Sequence, residues 1–223
     1  MNSKDEEENI QNYGGIQMRE RTMEYSENKK ELYEEVVLQL KGLFQDCPHV
    51  LANLANASAL LNQAMKEINW VGFYLLKSEP VLKNMYELLS HGEDGKSSSN
   101  EFLKADKDMK QEEIDEGILV LGPFQGKPAC VEIKVGKGVC GRAVAIDDVI
   151  LVEDVHEFAG HIACDEASNS EIVLPIHANG MVVAVLDIDS PIIARFDEED
   201  KEGLLEVVHV IEEMLIHSGN CLL

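Results

Sequence analysis

Three cysteines and three carboxylates stand where they could do chemistry together. Cys130 lies in PACVEI, Cys140 in GVCGRA and Cys164 in HIACDE, in a 223-residue chain with five cysteines in all. In a reducing compartment, clustered thiols point to metal or redox chemistry rather than to structural disulfides. The acids are Asp187 and Asp189 of LDIDS, and Glu171 of SEIVLPI. Alternate residues of a strand share a face, so Asp187 and Asp189 project together. A three-residue loop at Asn179–Gly180, with Gly180 left-handed, pairs 177 with 181 and sets Glu171 opposite Asp187. A two-residue turn pairs 178 with 181 instead and sends Glu171 to the other face; the first register is expected. Three acids on one face, with no Lys or Arg in these strands, require a protonated carboxyl or a cation among them.

Other patterns offer competing chemistry. Trp70, Gly72 and Tyr74 of NWVGFYLL alternate onto one strand face. Two aromatics around a glycine suit core packing. They equally suit a wall that a small ligand bearing an ammonium group could approach. A literal G-x-G-x-x-G at Gly136, Gly138 and Gly141 follows a strand and opens a helix. That helix is too short for a parallel crossover, so a tight strand-to-helix turn is preferred over a dinucleotide fingerprint. Cys140 then falls in a helix's first turn, where backbone N–H groups favour a thiolate. His156, His161 and Cys164 form H-x4-H-x2-C, with Cys130 and Cys140 as further ligands, but the spacing matches no standard zinc module and no metal is expected.

The elements that must position these residues follow from periodicity. Helical spacing runs from Ser26 to a stop before Pro48, and again from Leu51 to Ile68. Strands are expected at 69–76, in ILVLG, around 129–135, near 149–152, and as a hairpin on either side of Asn179–Gly180. A short helix follows Gly138, an irregular loop spans 154–170, and a last helix opens at Asp197. The expected fold is α+β, a central and mostly antiparallel sheet with helices packed on it. Residues 1–25 read as an acidic tail, 26–218 as one domain with a charged insertion at about 80–117, and 219–223 as a C-terminal tail. Cys47 reads as a small buried hydrophobe and Cys221 as part of a frayed end.

Composition excludes some partners. A net charge of −23 argues against nucleic acid and anionic membranes, both of which need clustered Lys and Arg. No apolar run reaches the length of a membrane span, and MNSKDEEEN lacks the features of a signal peptide. A cytoplasmic protein is expected.

Taken together, NWVGFYLL, LVLGPFQGKPAC, GKGVCG, GHIACD, SEIVLPI and VLDIDS resemble, in order and spacing, the free methionine-(R)-sulfoxide reductases, enzymes built on the GAF fold. The resemblance covers about residues 30–77 and 118–218. It implies that Cys164 is the nucleophile and that Cys130 and Cys140 resolve it, Cys130 first. It implies that Trp70 and Tyr74 hold the methyl-sulfur end of the substrate. Glu171, Asp187 and Asp189 would bind its amino group or protonate the sulfoxide oxygen. Thioredoxin is the implied reductant and a homodimer the implied assembly, with no cofactor. The competing reading is a regulatory GAF domain that binds a small ligand without turnover; the thiol set beside the acids favours the enzyme.

Overall fold

A computed structural model describes residues 12–13, 16–17, 25–77, 117–162 and 166–218. Cys164, Cys221 and the insertion up to residue 116 therefore lie outside the described residues. In the stretch expected to be an irregular tail, β1 (Asn12–Tyr13) pairs with β2 (Ile16–Gln17) as a short antiparallel hairpin.

The domain is built on six antiparallel strands. They are β3 (Trp70–Lys77), β4 (Ile118–Gln125), β5 (Glu132–Lys134), β6 (Ile150–Val152), β7 (Ser170–Ala178) and β8 (Met181–Ser190), in the order β5-β4-β3-β8-β7-β6. The two edge strands have three residues each, which limits the unpaired backbone that a sheet edge presents.

Each face of the sheet has its own layer. Val71 and Phe73 of β3, Ile172, Leu174 and Ile176 of β7, and Leu186 and Ile188 of β8 share one buried cluster with three helices. These are α1 (Lys29–Phe44), α2 (Val50–Ala64) and α4 (Glu198–His217). The opposite face carries Trp70, Tyr74, Val173 and Val185, packed with α3 (Gly138–Ile146). The period-two alternation of the strands is thus what separates a face covered by three helices from a chemistry-bearing one covered by α3.

Helix ends follow local signals. The Asn28 side chain accepts from the Glu31 N–H at the start of α1. Asp197 and Asp200 form a capping box at the start of α4. Asp200 is fully buried, and it accepts from Tyr33 at 2.8 Å, Lys29 at 2.6 Å and Arg195 at 3.2 Å. One acid thus ties α1, the segment before α4 and α4 itself together.

The hairpin register departs from expectation. Ala178 pairs with Met181 across a two-residue turn, with positive φ at both Asn179 (54°) and Gly180 (77°), as a type I′ turn requires. His177 then pairs with Val182 and Ile176 with Ala184, leaving Val183 as an extra residue on β8. This bulge returns Glu171 to the face of the aspartates, which the turn alone would have denied it. Relative to the expected register the pairing is moved along by two, so Glu171 stands opposite Asp189 and Val173 opposite Asp187.

Candidate active site

The site grows from three neighbouring strands and one helix start. Asp189 pairs with Trp70 and Asp187 with Gly72 across β3–β8, while Glu171 pairs with Asp189 across β7–β8. The expected common face of aromatics and acids is therefore present. α3 lies over this face, and its first turn supplies Cys140. Its start is tightly wound: Gly136 donates to the Gly141 carbonyl at 2.7 Å, and any Cβ at Gly141 would collide with the Lys134 carbonyl. The glycine pattern thus serves a close strand-to-helix turn. The strand after α3, β6, pairs antiparallel with β7, so the parallel crossover of a dinucleotide fold does not form.

Cys140, Glu171, Asp187 and Asp189 line one small cavity with Ile133, Gly138, Val139, His161, Ile162 and Ser168. Its volume is about 20 Å³, room for about one water. Cys140 Sγ lies 4.0 Å from Glu171 Oε1, and His161 Nε2 lies 3.6 Å from Glu171 Oε2. Glu171 and Asp187 are only 5% and 6% exposed. The Oδ1 atom of Asp187 is buried and accepts no hydrogen bond.

This crowding sets the protonation states. Burial raises Asp187 well above the ordinary carboxylate range, and the charge of Glu171 adds to it. Burial does the same to Glu171, reinforced by Asp189. The site therefore holds a proton where isolated carboxyls would have lost theirs. Burial also pushes the Cys140 thiol well up, followed by the charges of Asp187 and Glu171. The thiolate expected from its helix-start position is overruled, because desolvation and neighbouring anions outweigh the backbone N–H groups. Burial holds His161 below the ordinary histidine range, as a neutral imidazole.

The aromatics sit beside this cavity rather than in its wall. Trp70 and Tyr74 are 2% and 1% exposed and stack at 5.9 Å between centroids. The space above Gly72, expected to admit a ligand, is filled by Phe124 and by the ring of Trp70 itself. Trp70 Nε1 donates to the Lys127 carbonyl at 3.1 Å, and Tyr74 Oη to the Cys130 carbonyl at 3.1 Å. The two rings thereby anchor the loop that carries Cys130, which is half-buried. Cys164 lies outside the described residues, but the chain on either side of it, His161–Ile162 and Ser168, lines the cavity. His161 and Ser168 were not singled out as pocket residues by the sequence; His161 was weighed by itself only as part of the H-x4-H-x2-C metal spacing.

A six-stranded antiparallel sheet with helices on one face and a thiol-and-acid pocket on the other defines the class: a GAF domain, whose family model matches residues 51–214. A free methionine-R-sulfoxide reductase of Escherichia coli is 43% identical over 188 residues, 84% of this chain and 91% of its own. The structure of a reduced fRMsr of Staphylococcus aureus aligns with TM-score 0.63 at 43% identity, covering 82% of this chain and 94% of that one. A free methionine-R-sulfoxide reductase of Neisseria meningitidis, solved with its substrate, aligns with TM-score 0.66 at 34% identity, covering 88% and 96%. The chain belongs to the free methionine-R-sulfoxide reductase family of GAF-domain proteins. Among the described residues, no helix is long and apolar enough to cross a membrane.

Proposed function

We propose that this protein reduces free methionine (R)-sulfoxide to methionine, with Cys164 as nucleophile and Cys130 or Cys140 as resolving thiol. The observation that carries this reading is a buried, proton-holding acid pair facing a thiol-bearing pocket, in a chain of this family. The Cys164 thiolate bonds to the sulfoxide sulfur while Glu171 or Asp187 protonates the oxygen, as a carboxyl held neutral by its neighbours is suited to do. The protonated oxygen transfers as hydroxyl to Cys164 as its bond to the substrate sulfur breaks, so Cys164 becomes a sulfenic acid and methionine leaves two electrons richer. A second thiol then displaces water from the sulfenic acid and forms a disulfide. A thioredoxin-type dithiol reduces that disulfide by exchange.

Cys130 suits the resolving role better than Cys140. It is half-buried on a loop, whereas the Cys140 thiol is held protonated first by burial and then by the charges of Asp187 and Glu171. Asp187, Asp189 and Glu171 also offer a seat for the substrate's ammonium group, whose charge would relieve their mutual repulsion. In this reading Trp70 and Tyr74, which lie beside the cavity on β3, would meet the methyl-sulfur end once the pocket widens to their rings. The cavity must widen, since room for about one water does not admit an amino acid. The reading puts the protein in the cytoplasm, where thioredoxin keeps thiols reduced, with a homodimer as the assembly that the family resemblance implies.

The test is turnover with thioredoxin on each epimer of free methionine sulfoxide. Reduction of the R epimer alone supports the proposal, and absence of turnover on free R epimer overturns it.

A further inference from the structure

Cys140 Sγ and one carboxylate oxygen each from Glu171 and Asp187 lie within 4.8 Å of one another, all on buried residues. His161 Nε2 stands beside this group without belonging to it, 3.6 Å from Glu171 Oε2. We propose that Cys140, Glu171, Asp187 and His161 form a binding site for a thiophilic divalent cation of the zinc type.

The donor set suits such an ion. Zinc takes thiolate sulfur at about 2.3 Å, imidazole nitrogen at about 2.0–2.1 Å and carboxylate oxygen at about 2.0–2.2 Å, in a tetrahedral shell. Neighbouring ligand atoms around it stand roughly 3.3–3.8 Å apart. His161 lies 3.6 Å from Glu171 Oε2 and Cys140 lies 4.0 Å from Glu171 Oε1, so both reach the same carboxylate and the shell must close by up to about 1 Å to bind an ion. Magnesium and calcium, which favour oxygen shells, fit a sulfur and nitrogen set poorly.

A second observation points to a ligand independently of the cluster. Asp187 Oδ1 is buried and unpartnered, and it belongs to a side chain on this cavity. A buried acceptor left unpaired costs about 1–3 kcal/mol, and a bound cation removes that penalty. The cavity of about 20 Å³ accommodates a single ion without rearranging the fold. The ion would displace the protons that Cys140, Glu171 and Asp187 otherwise hold. The sequence pattern H-x4-H-x2-C pointed to a different set; the proposed shell takes His161 from it and adds Cys140 of α3 and acids from β7 and β8.

Occupancy would have a functional sense. It fixes the Cys140 thiolate against oxidation and fills the seat offered to the substrate's ammonium group. The bound form is therefore a closed, thiol-protected state. This goes beyond the reductase reading and is tested by a signal that needs no turnover.

The experiment is anaerobic titration of the fully reduced, full-length protein with Co²⁺, followed by displacement with Zn²⁺. We expect one equivalent of Co²⁺ to give a thiolate-to-cobalt charge-transfer band and the intense visible bands of tetrahedral cobalt. Cys140→Ser should abolish the charge-transfer band, while Cys130→Ser and Cys47→Ser retain it. Glu171→Gln and His161→Asn should each weaken Co²⁺ by at least the roughly 10- to 100-fold that loss of even an outer partner costs. A parent without a charge-transfer band, or a band that survives Cys140→Ser, overturns the proposal. Should Cys140→Ser fail to fold, unchanged Co²⁺ affinity in both Glu171→Gln and Asp187→Asn overturns it equally.

Discussion

Glu171 stands directly across the β7–β8 ladder from Asp189, with Asp187 on the same face two residues along β8. Facing carboxylates on a buried surface are unfavourable as charges, and folding keeps them only by changing their protonation. This has a consequence for stability. Asp187 and Glu171 have folded-state pKa values raised above their unfolded values. Their contribution is complete below the unfolded values, near pH 4, and is lost as pH rises toward the folded ones. Asp187→Asn should therefore raise the melting temperature at pH 8 by about 2–4 °C, equivalent to ~1 kcal/mol. Near pH 4 it should leave stability nearly unchanged, and it should lower reductase activity. Thermal denaturation across this pH range checks it; a parent more stable than the variant at pH 8 contradicts it.

His177 is held from two sides. Its Nε2 lies 2.8 Å from Asp147, the left-handed cap of α3, and its Nδ1 lies 2.9 Å from Glu212 of α4. Burial pulls its pKa down, but the bonds to Asp147 and Glu212 outweigh it and leave it raised. That stabilisation is full below the unfolded histidine value, near 6.5, and disappears as pH rises through the folded one. His177→Gln should be less stable than the parent at pH 6, with the gap shrinking by pH 9. Denaturant midpoints at the two pH values measure this directly.

Helix packing rests on Gly203. A Cβ there would run into the ring of Tyr33, where α1 crosses α4. Gly203→Ala raises intrinsic helix propensity, yet overpacking at such a contact costs about 1–3 kcal/mol. The clash should win, and urea denaturation should show a lower midpoint.

The hydroxyl of Tyr74 fixes the loop of Cys130 through its carbonyl. Tyr74→Phe keeps the ring and loses a hydrogen bond worth about 1 kcal/mol. Steady-state turnover with thioredoxin should fall while the first stoichiometric reduction persists. Comparing the burst with the steady state separates these effects.

Much of this arrangement was legible in the sequence because strands alternate strictly. Trp70 and Tyr74 fall on one face and Val71 and Phe73 on the other, as period two dictates. Asp197 and Gly138 marked helix starts through capping and turn chemistry. The register of Glu171 was less legible. Asn179–Gly180 signals a turn, but nothing in the local residue pattern announces that Val183 will bulge. The right face was therefore reached by the wrong route, and the wrong aspartate was placed opposite. The Cys140 thiol was misjudged because its helix position is local, whereas the burial that raises it, and the acids that add to this, come from packing against strands about 30 to 50 residues away. The space over Gly72 was misjudged for a similar reason: Phe124, from another strand, fills it together with the Trp70 ring.

The central claim is that Cys164 carries out the reduction and Cys130 only restores it. The most direct measurement is methionine formed per protein from free methionine (R)-sulfoxide, in a single turnover with no external reductant. The parent should yield about one equivalent and a protein disulfide. Cys130→Ser should still form about one equivalent of methionine, and Cys164→Ser none. A stoichiometric yield from Cys164→Ser would contradict the account.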